Sequence, residues 1–170
     1  MQAFLDWDNR ISRRLRVAEQ PGVKRTLAAV LAHSGDSWFW LLGLAVAWWR
    51  WVAWRGCIVI VAISVVVTAA LVLILKFTFR RRRPEGEWGA IYRATDPHSF
   101  PSGHAARAVL LAVLAWGLCP GWVAVVLTIW APLVALARVA MGVHYLSDVF
   151  AGALVGLLMG WVTLTVAALV

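Results

Sequence analysis

Three short patterns in the sequence hold the side chains that could carry out chemistry on an anion. The first is a lysine followed, after six intervening residues, by an arginine–proline pair. The second is a Pro-Ser-Gly-His run, and the third spaces an arginine, a histidine and an aspartate. They comprise Lys76, Arg83 and Pro84; Pro101, Ser102, Gly103 and His104; and Arg138, His144 and Asp148. Side chains of these kinds can together hold and transfer a phosphoryl group.

Five residues of the three patterns suit the binding of a phosphate. Lys76, Arg83 and Arg138 donate hydrogen bonds without accepting any, and an arginine can hold a phosphate through two parallel bonds. Ser102 and Gly103 precede an apolar run that predicts a helix, so their backbone N–H groups would lie at its positive end. We expect these five residues to hold the phosphoryl oxygens.

The two histidines and the aspartate could supply the reaction itself. His144 stands four residues before Asp148, whose carboxylate could hold one ring nitrogen as N–H and leave the other free to attack. His104 could then protonate the leaving oxygen as a general acid. Each residue alone has a structural interpretation, because an aspartate or a Pro-Ser-Gly run commonly precedes or caps a helix. The functional interpretation depends on all three patterns meeting.

Three further arginines precede Arg83 and are interpreted differently. Arg80, Arg81 and Arg82 follow an apolar run, where basic side chains usually anchor a span among lipid headgroups. We expect them to contact headgroups or the rim of the substrate.

The composition indicates an integral membrane protein. The chain has 170 residues, of which 62% are hydrophobic and only 14% charged, whereas soluble domains are about 45–50% apolar and about 25% charged. A net charge of +8 would favour nucleic acid as the partner of a soluble protein. Here the bases flank apolar segments, so the expected partners are the phosphates of membrane lipids and anionic substrates, and no nucleic acid.

Apolar and amphipathic segments predict an all-α helical bundle of about five spans. Residues 1–35 are expected to form an amphipathic membrane-surface segment, and residues 36–170 a transmembrane domain. The predicted spans are 37–54, 56–75, 104–118, 121–137 and 148–170. Glycines at spacing four in the last span should let it pack closely on its neighbours. Counting the crossings places all three patterns at one face of the membrane, where polar groups are usually functional.

The three patterns, in this order, resemble the signature of the type-2 phosphatidic acid phosphatase superfamily. The motifs cover residues 76 to 148, and the arrangement of spans covers roughly 36 to 170. The resemblance implies that His144 is a nucleophile that forms a phosphohistidine, that Asp148 orients it, and that His104 protonates the leaving group. It implies phosphate contacts for the five residues expected to hold the oxygens, and it implies no metal or other cofactor. Asp148 is the one acid that the sequence places in the site.

The sequence departs from that signature at one position. The third motif of the family usually begins Ser-Arg, whereas this chain has Ala137-Arg138. One hydroxyl that could support the phosphate site is therefore missing, and a lost hydrogen bond of this kind costs roughly 0.5–1.5 kcal/mol. We still expect an active enzyme.

Two functions from different classes agree with these observations. The first is a metal-independent lipid phosphatase acting on undecaprenyl pyrophosphate, phosphatidylglycerophosphate or phosphatidate, in a bacterial inner membrane. The second is a non-catalytic membrane protein that binds lipid phosphates. The N-terminal bases favour a cytoplasmic site by the positive-inside rule, whereas bacterial relatives commonly act at the outer face. The sequence leaves this choice, the substrate and the oligomeric state open.

Overall fold

The computed structural model describes residues 2–18, 20–86, 88, 91–92 and 96–169. Seven α-helices are described in full, and a short 3₁₀ turn at Val52–Trp54 joins the third to the fourth. The helices are α1 Gln2–Leu15, α2 Val23–His33, α3 Ser37–Arg50, α4 Arg55–Phe79, α5 Gly103–Leu118, α6 Gly121–Ala140 and α7 Leu146–Ala167. The described residues form no strand, only one isolated bridge between Arg82 and His98.

Helix α5 is the centre of the bundle and packs against α4, α6 and α7. Five of its side chains are buried alanines, so its neighbours approach its backbone closely. Gly152, Gly156 and Gly160 form a stripe on α7, and a Cβ at either of the first two would overlap a backbone oxygen, that of Ser102 just before α5 or that of Ala106 within it. The close packing predicted for this glycine stripe is therefore confirmed. It brings the start of α5 beside the start of α7, where the Ser102 N–H donates to the Asp148 carbonyl at 2.9 Å.

Among the described residues, three helical segments are long and apolar enough to cross a membrane: Val52–Phe79, Gly121–Ala140 and Leu146–Ala167. Helix α5 is apolar but shorter, with 16 residues, and its neighbours surround it. Helix α3 is shorter still, because the chain leaves helical geometry at Trp51. The first predicted span was thus too long.

Two other boundaries differ from the predicted spans in a way that matters for chemistry. Helix α4 continues past the predicted end at residue 75, so Lys76 lies in its last turn. Helix α6 continues to Ala140, so Arg138 also projects from a helix. Both cations are consequently held by regular backbone at the same end of the bundle.

The connection between α4 and α5 folds back over that end of the bundle. Arg80 ends α4 in a left-handed conformation with φ 48°. The returning chain then pairs with the outgoing one, since the Ser99 N–H donates to the Arg81 carbonyl at 2.8 Å. This pairing places Arg83 beside Asp96.

The two N-terminal helices pack on the bundle, α1 through two polar side chains and α2 through alanines. Asp8 and Ser12 are buried on the inner side of α1, whereas Phe4 and Trp7 are about half exposed. Two polar side chains of α1 therefore face the protein, whereas its aromatic residues are exposed, as are Arg10, Arg13 and Arg14. Helix α2 packs on α6 through alanines that form an apolar cluster with Ala137. The methyl group at position 137 thus packs against α2. That residues 1–35 lie on the membrane surface stays a prediction.

Candidate active site

A cavity of about 180 Å³ lies between the facing sides of α4 and α5. Both candidate catalytic imidazoles, His104 and His144, line it. Its other lining residues are Val65, Thr68, Ala69, Val72, Leu73, Lys76, Asp96, Gly103 and Arg107. The wall formed by α4 is mostly apolar and extends toward the middle of the bundle. The end of the cavity near Lys76 and Asp96 is strongly charged. The cavity therefore has the character of a site for an anion attached to an apolar chain.

Two of the expected phosphate-binding cations meet at one carboxylate. The Lys76 ammonium and the Arg83 guanidinium both donate to Oδ2 of Asp96, the second at 2.7 Å. Both cations are buried, and Arg83 also donates to the Asp96 and Val143 carbonyls. Burial raises the pKa of Asp96, but Lys76 and Arg83 outweigh this effect and hold its pKa below the usual range. The carboxylate is therefore an anion at neutral pH.

The hydrogen bonds around His144 fix its tautomer. Nη1 of Arg83 lies 3.3 Å from Nε2 of His144, and a guanidinium can only donate, so Nε2 must carry the lone pair. The proton then resides on Nδ1, which lies 3.6 Å from Oδ2 of Asp148. Burial lowers the pKa of His144, and the nearby cations lower it further. The ring is thus neutral, with Nε2 turned toward the cationic end of the cavity.

Asp148 is held in place by its own set of donors. Its Oδ2 accepts from the Tyr145 N–H at 2.9 Å, and its Oδ1 accepts from Nη1 of Arg81 at 2.7 Å. Arg81 also lies over the Tyr145 ring, 4.0 Å from its centroid. The expectation that Arg81 contacts lipid headgroups is wrong, because it turns inward to neutralise buried carboxylates. Arg80 and Arg82 are exposed.

His104 is oriented by a carboxylate that the sequence did not single out. Its Nε2 lies 2.7 Å from Oδ1 of Asp36, whose other oxygen lies 3.1 Å from Nδ1 of His33. Burial raises the pKa of Asp36, but the hydrogen bonds with His104 and His33 outweigh it and hold the pKa well below the usual range. Because this carboxylate only accepts, Nε2 of His104 carries a proton, and the other ring nitrogen is the one that can exchange a proton with a substrate.

Of the three remaining residues expected to contact phosphate, only Gly103, at the start of α5, lines the cavity directly. The Ser102 hydroxyl is buried and accepts from the Ala105 N–H at 3.5 Å, so it caps the helix. Arg138 is buried, donates to the Tyr92 hydroxyl at 3.1 Å, and lies over that ring. Their roles toward a phosphate stay predictions.

Acidic residues are the main component that sequence reasoning missed. The sequence placed only Asp148 in the site, and this was wrong, because Asp96 and Asp36 also lie there. Asp36 could have been noticed as the helix-start residue before α3, but nothing in the spacing relates it to His104, 68 positions away. In the part of the chain that the structure describes, no three His, Cys, Asp or Glu side chains form a group suited to a metal ion.

Helix α1 completes the support of Asp148 from a distant part of the chain. Oδ2 of Asp8 accepts from Nη2 of Arg81 at 2.7 Å and also from the Ser147 hydroxyl. Oδ1 of Asp8 accepts from the Ser147 N–H at 3.1 Å, and the Ser12 hydroxyl accepts from the Leu146 N–H at 2.9 Å. Asp8 and Ser12 thus cap the first turn of α7, the turn that carries Asp148.

Comparison with known proteins relates this arrangement to phosphatases. The model of the PAP2 superfamily matches residues 56–169. A lipid A 1-phosphatase from Porphyromonas gingivalis is 32% identical over 111 residues, which are 64% of this chain and 23% of that protein. A decaprenylphosphoryl-5-phosphoribose phosphatase from Mycobacterium tuberculosis is 36% identical over 95 residues, which are 55% of this chain and 52% of that protein. The chain therefore spans at most about half the length of these curated relatives.

Two crystal structures share the fold. A transmembrane PAP2-type phosphatidylglycerolphosphate phosphatase from Bacillus subtilis has a TM-score of 0.81 at 24% identity, covering 100% of this chain and 89% of its own. LpxE from Aquifex aeolicus has a TM-score of 0.73 at 24% identity, and the match covers 92% of this chain and 93% of the LpxE chain. The predicted all-α membrane bundle is confirmed.

The buried network around Asp8 should contribute to the stability of the fold. Asp8→Asn removes the charge that Arg81 and Ser147 bind, and we expect it to lower the free energy of unfolding by about 2 kcal/mol. Thermal unfolding in detergent measures the effect, with Asp6→Asn on the exposed side of α1 as the matched control. Equal midpoints for the two variants would contradict the role assigned to Asp8.

The titration of His144 should reveal the nearby guanidinium. We expect the wild-type ring to stay neutral at about pH 6.5, where an ordinary histidine is half protonated. Arg83→Gln removes a cation beside Nε2 and should raise the pKa of His144 toward the ordinary value. NMR of ring-labelled histidine measures this, with the exposed Arg82→Gln as control. An unchanged titration in Arg83→Gln would contradict the assignment.

Proposed function

The chain belongs to the PAP2 superfamily, and we propose that it is a membrane-embedded phosphatase that removes the terminal phosphate of a lipid phosphate or diphosphate. The observation that carries this proposal is the shared cavity. It joins two imidazoles and a lysine to an apolar wall of α4. Such a cavity accepts a phosphate at its charged end while the lipid chain follows the wall toward the bilayer.

The first step would transfer the phosphoryl group to His144. Its Nε2 lone pair attacks phosphorus, an N–P bond forms, and the bond from phosphorus to the leaving oxygen breaks. In this step His104 must carry a proton on both ring nitrogens, and it gives the Nδ1 proton to that oxygen while Nε2–H stays bound to Asp36, so the lipid product leaves as an alcohol or a lower phosphate. Asp148 accepts a hydrogen bond from Nδ1–H and stabilises the charge that develops on the ring. The 3.6 Å separation of Nδ1 and Oδ2 must shorten for this bond to form.

The second step would release inorganic phosphate. A water oxygen attacks phosphorus, one water proton passes to His104, and the N–P bond breaks. His144 regains its lone pair and His104 its proton, so both residues return to their starting states. This cycle needs only the two imidazoles as acid, base and nucleophile. Lys76, Arg83 and Arg138, with Ser102 and the Gly103 N–H, would stabilise the oxygens of the phosphoryl group.

In this proposal Asp96 competes with the substrate for the cations. Its Oδ2 receives bonds from both Lys76 and Arg83, which a phosphate oxygen would also require. The side chain is 39% exposed, so it can turn away toward solvent when a phosphate arrives. Arg83 would then also release Nε2 of His144 and bind the phosphate.

The substrate would reach the site from the lipid. The curated relatives are named for activity on lipid A or on a decaprenyl-linked sugar phosphate, and the Bacillus subtilis neighbour for activity on phosphatidylglycerolphosphate. Undecaprenyl pyrophosphate, phosphatidylglycerophosphate and phosphatidate each carry a terminal phosphate on a long apolar chain and fit the cavity in that respect. We place the protein in a bacterial inner membrane.

Release of phosphate from a lipid tests the function. We expect detergent-solubilised protein in EDTA to release inorganic phosphate from at least one of these lipids, and His144→Ala to lose the activity by more than about 10³-fold. Acid quenching with labelled substrate should trap a phosphohistidine in the wild type alone. Tight lipid binding with no release across the panel would favour the non-catalytic alternative. Undiminished turnover by His144→Ala would instead remove the nucleophile assignment.

Substitution of Asp96 tests the competition for the cations. Asp96→Asn keeps the size of the side chain but removes its charge, so we expect KM for the lipid substrate to fall about 5-fold. Glu85→Gln, in the exposed part of the same connection, is the control. A higher KM in Asp96→Asn would mean that Asp96 assists binding and would refute the competition.

A further inference from the structure

Within the proposed function, we propose that Arg107 and Thr68 form a second polar subsite, which binds a second phosphate on the lipid side of the scissile bond. The substrate class that it selects is a lipid with two phosphates, such as a polyprenyl diphosphate, rather than a lipid monophosphate. Neither residue belongs to the three motifs, and neither has a role in the mechanism above.

The two residues lie at the same depth on opposite walls of the cavity. Helices α4 and α5 run antiparallel, and a Cβ at Gly103 would lie 3.5 Å from the Val72 side chain, so these two positions are level. Four residues further along α5 and four residues back along α4 are Arg107 and Thr68. Both line the cavity, about one helical turn (about 6 Å) deeper than that level.

Both residues carry buried polar atoms without a partner. The Thr68 residue is 2% exposed and Arg107 is 8% exposed. The Thr68 hydroxyl and Nε of Arg107 have no hydrogen-bond partner among the described residues, although Nη1 of Arg107 donates to the Gly35 carbonyl. Buried donors of this kind are costly unless a ligand satisfies them. An arginine inside an apolar helix therefore indicates a function beyond one contact with a carbonyl.

The position of the subsite defines the chemistry of its ligand. Arg107 follows His104 on α5 by three residues, about 4.5 Å along the helix axis. Since His104 faces the leaving oxygen in the proposed mechanism, Arg107 faces the group beyond that oxygen. For a lipid diphosphate this group is the inner phosphate, which leaves as the anionic lipid monophosphate when the outer phosphoryl group passes to His144, and water then releases that group as inorganic phosphate. For a monophosphate it is an uncharged carbon chain, which gains nothing from a guanidinium.

The contact with Gly35 suggests that Arg107 could position other residues instead of binding a second phosphate, and the test must distinguish these two roles. By holding this carbonyl, Arg107 could position the neighbouring Asp36 and, through it, His104. A purely positioning role would reduce the turnover of every substrate equally. A subsite for a second phosphate would reduce the turnover of two-phosphate lipids alone.

The decisive experiment compares matched lipids with one and two phosphates. We measure kcat/KM for farnesyl diphosphate, farnesyl monophosphate, phosphatidylglycerophosphate and phosphatidate. For Arg107→Gln we expect about a 10- to 100-fold loss on farnesyl diphosphate and less than about a 3-fold loss on either monophosphate. Arg107→Lys keeps a charge and should retain part of the diphosphate activity. A loss on phosphatidylglycerophosphate as well would show that the subsite accepts a more distant second phosphate.

Thr68→Val removes the hydroxyl without touching Gly35 and keeps the proposal testable if Arg107 variants fail to fold. We expect about a 5-fold loss on farnesyl diphosphate alone, whereas Thr78→Val, on the exposed side of α4, should behave as wild type. Equal losses on monophosphate and diphosphate in Arg107→Gln and no change in Thr68→Val would overturn the subsite. A wild type that releases phosphate from no lipid would instead refute the proposed function.

Discussion

Charge balance at one end of an apolar bundle is the constraint on which this structure depends. Lys76, Arg83 and Arg138 are buried there, and an unpaired charge in such surroundings costs several kcal/mol. Aspartates from three parts of the chain meet this demand: Asp96 pairs with Lys76 and Arg83, while Asp8 and Asp148 share Arg81. The connections and the N-terminal helix fold over the bundle end because they carry these counter-charges. Arg107 and Arg138 form no ion pair with a carboxylate among the described residues, since one donates to the Gly35 carbonyl and the other to the Tyr92 hydroxyl.

The close contact of α5 with α7 makes this balance geometrically possible. Helices that meet through alanine and glycine place their backbones closer than leucine-lined helices could. The start of α5 and the first turn of α7 consequently lie side by side, joined by the bond from the Ser102 N–H to the Asp148 carbonyl. His104 and His144, the proposed general acid and nucleophile, then line one cavity although 40 positions separate them in the sequence.

The sequence predicted the parts of this protein that depend on local pattern. The lengths of the apolar segments predicted the helices, and the spacing of the glycines predicted the close packing of α7 on a neighbour. The three motifs predicted the two imidazoles and the cations of the site. The partners of those groups were not predictable in the same way. Asp36 and Asp8 lie far from their partners along the chain, and a single aspartate near a helix start has many ordinary explanations. Arg81 was misassigned because a run of arginines after a span is typical of a lipid anchor, and only the returning connection turns one of them inward.

Helix α1 has one exposed side and one side that contacts the first turn of α7. Its exposed side chains include the aromatic Phe4 and Trp7, and its inward side chains, Asp8 and Ser12, cap the turn that bears Asp148. If α1 lies on the membrane surface, as the sequence predicts, lipid or detergent contacts one side of this helix while its other side supports Asp148, the proposed partner of His144. We therefore expect the choice of detergent, the thickness of a nanodisc or a tag fused ahead of Gln2 to affect the position of Asp148 relative to His144.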